Sequence, residues 1–185
     1  MKLLLLGCTG QVGWELQRAL QPLGEVSARD FNTTPRADFT QIDELAALVR
    51  SERPDVIVNA AAHTAVDKAE SEPDLARTIN ALAPGRLAAE AAAIGALLVH
   101  YSTDYVFDGS GDQPRPEDAP TGPLSVYGST KLEGEDLIRA SGCRHLILRT
   151  SWVYAARGGN FARTMLKLAA ERVLLLFILF INFDD

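Results

Sequence analysis

The stretch MKLLLLGCTGQVGW, residues 1 to 14, decides the fold. Its leucines, Leu3 to Leu6, run straight into a loop carrying Gly7, Gly10 and Gly13. An unbroken apolar run ending at glycine reads as a parallel strand buried on both faces that feeds a phosphate-binding turn. Gly7 and Gly10 are expected to take positive φ and let the backbone approach a pyrophosphate, and Gly13 to let the next helix pack tightly on the strand. That helix, from Gln11 to about Gln21, would aim its first N–H groups, at Gln11 and Val12, toward the anion. A second short strand, Glu25 to Ala28, leads to Asp30, twenty residues beyond Gly10. An acidic side chain there would hold a ribose 2′-hydroxyl. A glycine turn alone joins many strand and helix pairs that bind nothing. With a strand before it, a helix after it and the acid at that distance, dinucleotide binding is the reading.

At 185 residues and 47% hydrophobic, the chain suits one well-buried α/β domain. A net charge of -6 leaves no surplus of positive charge for a general nucleic-acid or anionic-membrane surface, so a small-molecule partner is expected. Cys8 and Cys143 have no metal-ligand or C-x-x-C spacing, no metal is expected, and a reducing cytoplasm fits. Leu5-Leu6-Gly7-Cys8 superficially resembles a lipoprotein cleavage site, but the apolar run before it is too short for a secretion signal.

Further along, ELAALVRSERP (residues 44 to 54) has helical spacing, with Leu45, Leu48 and Val49 on one side and Pro54 as the stop. Asp55 to Asn59 reads as the third strand, followed by Ala60, Ala61 and Ala62, whose small side chains leave room for a cofactor. His63 in that loop reads as a hydrogen-bonded scaffold residue. Pro73 to about Ala93 is helical in pattern, with Pro84 expected to bend or split it. Leu97 to Tyr101 is the fourth strand. The order β-α-β-α-β-α-β implies a Rossmann-type, doubly wound parallel sheet with helices on both faces and ligands beyond the carboxyl ends of its strands. Residues 108 to 123 read as an irregular surface loop over that edge, able to close over substrate. A helix resumes at about Leu124 and ends before Gly142, His145 to Arg149 is a fifth strand, and Asn160 caps a helix to about Glu171.

Tyr127 and Lys131 stand four apart on one helix face. With Ser102 and Thr103 at the end of the fourth strand, a hydroxyl, a phenol and an ammonium are expected to converge. A free phenol with a pKa of about 10 is a poor proton donor or acceptor at neutral pH, and a neighbouring cation lowers it. Lys131 is expected to be that cation.

The glycine loop, Asn59-Ala60-Ala61-Ala62-His63-Thr64, Ser102-Thr103-Asp104-Tyr105-Val106-Phe107, Tyr127-Gly128-x-x-Lys131 and Arg149-Thr150-Ser151-Trp152-Val153-Tyr154 together resemble the extended short-chain dehydrogenase/reductases. Within that family the match is to the branch that reduces the C4 keto group of dTDP-4-dehydro-L-rhamnose, in nucleotide-sugar and lipopolysaccharide biosynthesis. The resemblance implies hydride transfer from NADPH or NADH. By it, Tyr127 protonates the carbonyl oxygen, Lys131 lowers the tyrosine pKa and holds the nicotinamide ribose, and Thr103 hydrogen-bonds the reacting oxygen. Asp104, Tyr105 and Trp152 would lie along the sugar, and Asp38 and Phe39 would join the cofactor contacts. Asp30 favours NADH by repelling a 2′-phosphate, while Arg29 beside it could offset this. The cytoplasm suggested by the cysteines is the expected setting, and a homodimer is left open.

The resemblance covers residues 1 to about 172, a single cofactor-binding domain, and lapses in the apolar run Val173 to Ile181 and the residues after it, up to Asp185. Nine apolar residues are too few for a membrane helix, which needs about 20. They read either as a buried strand or, the preferred reading, as an aberrant tail in place of most of the substrate lobe, and an aggregation hazard when exposed. Two other readings compete: a non-catalytic, cofactor-binding regulatory subunit, and a nucleotide-sugar epimerase.

Overall fold

The computed structural model describes residues 1–171. The expectations for residues 173–185 lie outside the described residues. The chain divides into two compact units, Met1–Ser151 and a second from Trp152 onward.

The first unit is a parallel sheet of β1 (Lys2–Leu6), β2 (Glu25–Arg29), β3 (Val56–Asn59), β4 (Leu97–Thr103) and β5 (Arg144–Thr150), in the order β2-β1-β3-β4-β5. Every neighbouring pair is parallel. The leucine run is buried on both faces, as expected of a central parallel strand. Leu4 and Leu6 join Leu45, Leu48, Val49, Ile57, Leu87, Leu98 and Ile138 on one side. Leu5 packs on the other with Cys8, Val58, Leu16 and Leu20. Each fully buried leucine is worth about 1.5–3 kcal/mol, so this one strand anchors both layers.

Helices α1 (Gln11–Ala19), α2 (Ile42–Glu52), α3 (Val66–Ser71), α4 (Pro73–Arg77), α5 (Ala83–Ile94) and α6 (Val126–Ala140) connect the strands. α1 stops two residues short of its expected end, and Pro22 continues it as a single 3-10 turn, Gln21–Leu23. α2 begins at Ile42, buries Leu45, Ala46, Leu48 and Val49, and ends where Arg53 turns left-handed (φ 45°) before Pro54. α3 has no counterpart in the sequence reading, because its six residues are too few to display a period. The proline in the long alanine-rich segment does not break it. The helix widens into a π segment, Thr78–Leu82, and resumes at Ala83, which accommodates a residue lacking an N–H and crowding the carbonyl four back. That carbonyl, of Asn80, packs against Gly134 of α6, where a Cβ would collide with it.

Three strands run longer than read, β2 by a single residue, Arg29. β4 continues through Ser102 and Thr103, and β5 spans Arg144–Thr150, pairing with β4 along its whole length. In the second unit α7 (Phe161–Glu171) is capped by Asn160, whose Oδ1 accepts from the Arg163 N–H at 3.0 Å, and buries no side chain. Among the described residues no strand follows β5, and the two units meet in sequence between Ser151 and Trp152.

Candidate active site

The carboxyl ends of β1, β2, β3 and β4 lie along one edge of the sheet, where open parallel sheets bind their ligands. Gly7 leaves β1 at φ +79°, and a Cβ on it would stand 2.6 Å from the Ala61 nitrogen. The β1 and β3 exit loops therefore touch backbone to backbone. Gly13 packs α1 against the Gly7 carbonyl, as expected. Gly10 departs from expectation: it caps α1 with φ −67° and ψ 169°, an extended conformation open to any residue. A Cβ there would meet only the Gly7 oxygen, at 3.4 Å. What its missing side chain leaves is space in front of Gln11 and Val12. Ala60 continues the β1–β3 ladder by donating to Leu6, Ala61 donates to the Asn59 side chain at 3.0 Å, and Ala62 follows in the same loop.

Asp30 follows β2 but is only 4% exposed. Its Oδ1 accepts from the Asn32 N–H at 2.8 Å and its Oδ2 from the Cys8 thiol at 3.7 Å. Burial pushes its carboxyl up, and the Thr9 hydroxyl and Asn32 amide more than reverse this, leaving it below its usual value. It is ionised and ties the second loop to the glycine loop. Arg29 does not stand over a 2′-phosphate: its guanidinium grips Glu52 at 2.9 Å, because strand alternation aims it away from its neighbour's face. Asp38 is spent on Thr40 and on Arg36 at 2.6 Å, and the Phe39 ring is buried in the core against α2, leaving only their backbone for a cofactor.

At the end of β4 the Thr103 hydroxyl stands by the Tyr127 phenol and lowers its pKa. The Thr103 oxygen also donates to Asp104 Oδ1 at 3.1 Å and accepts from the Tyr105 N–H at 3.2 Å. Asp104 Oδ2 accepts from Ser151 at 2.6 Å. The Tyr105 ring stands edge-on to that of Tyr127, centroids 5.5 Å apart. Gly128 makes this possible, since α6 rests there directly on the Tyr105 carbonyl and a Cβ would overlap it. Ser125 starts the helix by accepting from the Gly128 N–H at 3.0 Å, so Tyr127 lies in the first turn.

Two expectations fail. Ser102 does not converge with Thr103: it alternates to the opposite face and donates to Glu135 at 2.5 Å. Lys131 is not the cation beside the phenol. It is 1% exposed, donates to the Tyr101 carbonyl at 2.7 Å and lies 3.2 Å from His100 Nε2. Burial pushes its pKa down to about 8, against an upward pull from Glu135. The Tyr127 phenol moves the other way. Burial raises it, the neighbouring Thr103 hydroxyl lowers it, and the Asp104 carboxylate raises it further. A phenol in this setting is a proton donor at neutral pH.

A family model described as RmlD substrate binding domain matches residues 1–178. The chain belongs to that family. The curated dTDP-4-dehydrorhamnose reductase of Escherichia coli (strain K12) is 58% identical over 173 residues, 93% of this chain and 58% of that protein. The crystal structure of a dTDP-4-dehydrorhamnose reductase from Clostridium acetobutylicum superposes with a TM-score of 0.87 at 42% identity, over 92% of this chain and 60% of that one. The enzyme of that name from Bacillus anthracis, solved in complex with NADP, gives 0.84 at 37% identity over 92% and 60%. The chain thus spans less than two thirds of the length of the relatives it matches.

Within this family's sheet, several residues that hold the site together escape a reading by motif. Asn80, fully buried in the π segment, accepts from the His63 N–H at 2.8 Å and donates to the His63 carbonyl at 3.1 Å and to Thr130 at 3.2 Å. Asn80 holds only the His63 backbone; the His63 ring lies 3.7 Å from Glu72, and its buried Nδ1 has no hydrogen-bond partner among the described residues. Glu135, fully buried, collects Ser102, Arg139 and Arg149. Its position four residues past Lys131 was the available signal. Trp152 belongs to the second unit, where its ring meets Phe161 edge-on at 5.2 Å. Among the described residues, no group of His, Cys, Asp and Glu could hold a metal ion, and no helix is long and apolar enough to cross a membrane.

Proposed function

We propose that this chain is the cofactor-binding and proton-donating part of an NAD(P)H-dependent reductase acting on the C4 keto group of dTDP-4-dehydro-L-rhamnose. The observation that carries it is the gathering of Thr103, Tyr105 and Tyr127 at the carboxyl end of β4, on the same sheet edge as the glycine loop. The names of the relatives favour a reductase over an epimerase, and a retained donor pair favours an enzyme over a regulatory subunit.

The residues fit a dinucleotide. The Gly10 position leaves open space before the first turn of α1, whose N-terminus favours a pyrophosphate through Gln11 and Val12. Asp30 is ionised where a ribose is proposed to lie, and its charge disfavours a 2′-phosphate without excluding NADPH; the Bacillus anthracis relative was solved in complex with NADP. A bound nicotinamide supplies the hydride. Tyr127 holds its proton, raised by burial, and gives it to the developing alkoxide. Thr103 orients the phenol and hydrogen-bonds the same oxygen, while Asp104 and Tyr105 lie beside them for the sugar. Lys131 belongs to this reading as a ligand of the nicotinamide ribose. The reading also includes a cytoplasmic setting, suited by two buried free cysteines, and a homodimer.

Turnover of dTDP-4-dehydro-L-rhamnose with each reduced cofactor, followed by loss of cofactor absorbance, tests it. Reduction at C4 is expected. Absence of both turnover and NADPH or NADH binding would overturn it.

A further inference from the structure

The sheet interior holds a line of polar groups that the proposed reaction leaves unused. Asn59 ends β3, His100 lies in β4, and the parallel register makes them neighbours. Both are fully buried, with Lys131 beside them at 1% exposure. Contacts join them in sequence. The Ala61 N–H donates to Asn59 Oδ1 at 3.0 Å, and Asn59 Nδ2 lies 3.0 Å from His100 Nδ1. His100 Nε2 lies 3.2 Å from Lys131 Nζ, which donates to the Tyr101 carbonyl at 2.7 Å.

Donor and acceptor chemistry fixes the protons. A backbone N–H only donates, so the Asn59 atom facing Ala61 is its oxygen and its NH2 group faces His100. That group also only donates, so Nδ1 of His100 must be bare. Burial, with Lys131 nearby, holds the His100 pKa well below its ordinary value, so the ring is neutral and carries its one hydrogen on Nε2. The atom Nε2–H faces is Lys131 Nζ. An ammonium has no lone pair to accept it; a neutral amine does. All the contacts are satisfied together only when Lys131 is the amine.

We propose that Asn59 and His100 are positioning residues that make the ionisation of Lys131 a two-position switch. With the amine, the line from Ala61 to Tyr101 is intact. On protonation, Nε2 passes its hydrogen to Nζ and a second proton enters at Nδ1, a net uptake of one. Nδ1–H then faces the Asn59 NH2, their hydrogen bond breaks, and the acceptor of the Ala61 N–H is released. The Ala61 nitrogen is the atom against which Gly7 packs, so the charge of Lys131 is tied to the wall of the glycine loop. The inference rests on the reductase reading only in taking that wall as part of the cofactor site. The charged and titratable groups that face Lys131 are His100 from β4 and, from its own helix, Glu135. Glu135 favours the ammonium but is itself held by Arg139 and Arg149, and burial prevails, placing the midpoint at about 8.

The test is 15N NMR of the imidazoles in the 185-residue protein from about pH 6 to 10, with His100 assigned by the loss of its signals in His100→Gln. The Nε2–H tautomer is expected above the Lys131 midpoint and Nδ1–H below it, in step with the Lys131 Cε shift. A single tautomer across a range in which Lys131 titrates overturns the switch. In Asn59→Asp a carboxylate accepts from both the Ala61 N–H and Nδ1–H. His100 should then keep Nδ1–H throughout, and the Lys131 midpoint should rise by at least about one pH unit; an unchanged tautomer also overturns the proposal. If this variant does not fold, the titration of the parent protein decides alone. A tautomer switch without sugar turnover would leave the inference standing and refute the reductase reading.

Discussion

Gly7 and Ala61 meet so closely that a Cβ on the first would stand 2.6 Å from the nitrogen of the second. They join the exit loops of β1 and β3, the strands between which the sheet order reverses. Gly7 is also left-handed at φ +79°, a conformation that costs an L-residue about 1–2 kcal/mol. Gly7→Ala adds backbone overlap to that strain, so a loss of at least about 2 kcal/mol is expected in urea denaturation. An unchanged midpoint would show that the loops can part without cost.

Gly10 makes a different demand. Its backbone is ordinary and a Cβ would touch only one atom, so Gly10→Ala should fold with little change in stability. The same Cβ would project before the first turn of α1, where the pyrophosphate is proposed. NADPH affinity, read by fluorescence titration, should weaken at least about tenfold, or about 1.4 kcal/mol. Unaltered affinity would move the phosphates elsewhere.

What the sequence made legible was whatever a local period or glycine spacing encodes. Leu3 to Leu6, the amphipathic face of α2 and the strand order around Gly7 come from such signals. The misreadings arise where tertiary pairing decides. β4 runs two residues past its apolar pattern because β5 pairs with it there, and alternation then sends Ser102 and Thr103 to opposite faces. The helical phase aligned Lys131 with Tyr127, but only the register of β3 and β4 shows that His100 and the Tyr101 carbonyl claim its ammonium. Arg29 stands beside Asp30 in the sequence, but strand alternation and the packing of α2 give its guanidinium to Glu52.

Tyr127→Phe keeps the ring against Tyr105 and removes the phenol that Thr103 orients. Reduction should fall at least about 10²-fold with cofactor affinity nearly unchanged. Because burial raises this phenol, the alkaline limb of kcat/KM that reports on it should lie above its ordinary 10.0. Stopped-flow oxidation of NADPH reads both, and parental rates in the variant would remove Tyr127 from the mechanism.

Lys131 gives a stability test with a definite sign. Its folded pKa of about 8 lies below the ordinary 10.5, so between these values the unfolded chain binds more protons than the folded one. Parental stability should therefore gain a rising contribution from this residue over that window, and a penalty is in full force below it. Lys131→Met has no such group. The stability of the variant relative to the parent should be greatest near neutral pH and decline from about 8 to 10.5, measured by urea denaturation. A pH-independent difference would mean that Lys131 is not perturbed.

Glu135 joins the stability of the sheet to the aim of Thr103. Its carboxylate is fully buried and accepts from Ser102 at 2.5 Å, Arg139 at 2.7 Å and Arg149 at 2.7 and 3.0 Å. Burial pushes its pKa up, but the hydrogen bonds of Arg149, Ser102 and Arg139 more than reverse this and leave it below the ordinary 4.5. Its contribution is thus complete above 4.5 and lost as the pH falls through the lower folded value. Glu135→Gln leaves Arg149, a largely buried guanidinium that also lies over the Phe107 ring, without its counter-charge. A loss of about 3 kcal/mol is expected at neutral pH, shrinking on acidification as the parent loses the same charge. Ser102 would lose its charged acceptor, and Thr103, the next residue on the strand, would no longer be held on Tyr127. Turnover should then fall more than NADPH affinity does. Denaturation at about pH 7 and 4, with turnover at the former, decides: a deficit that does not shrink in acid would show that the carboxylate contributes through shape and not through charge.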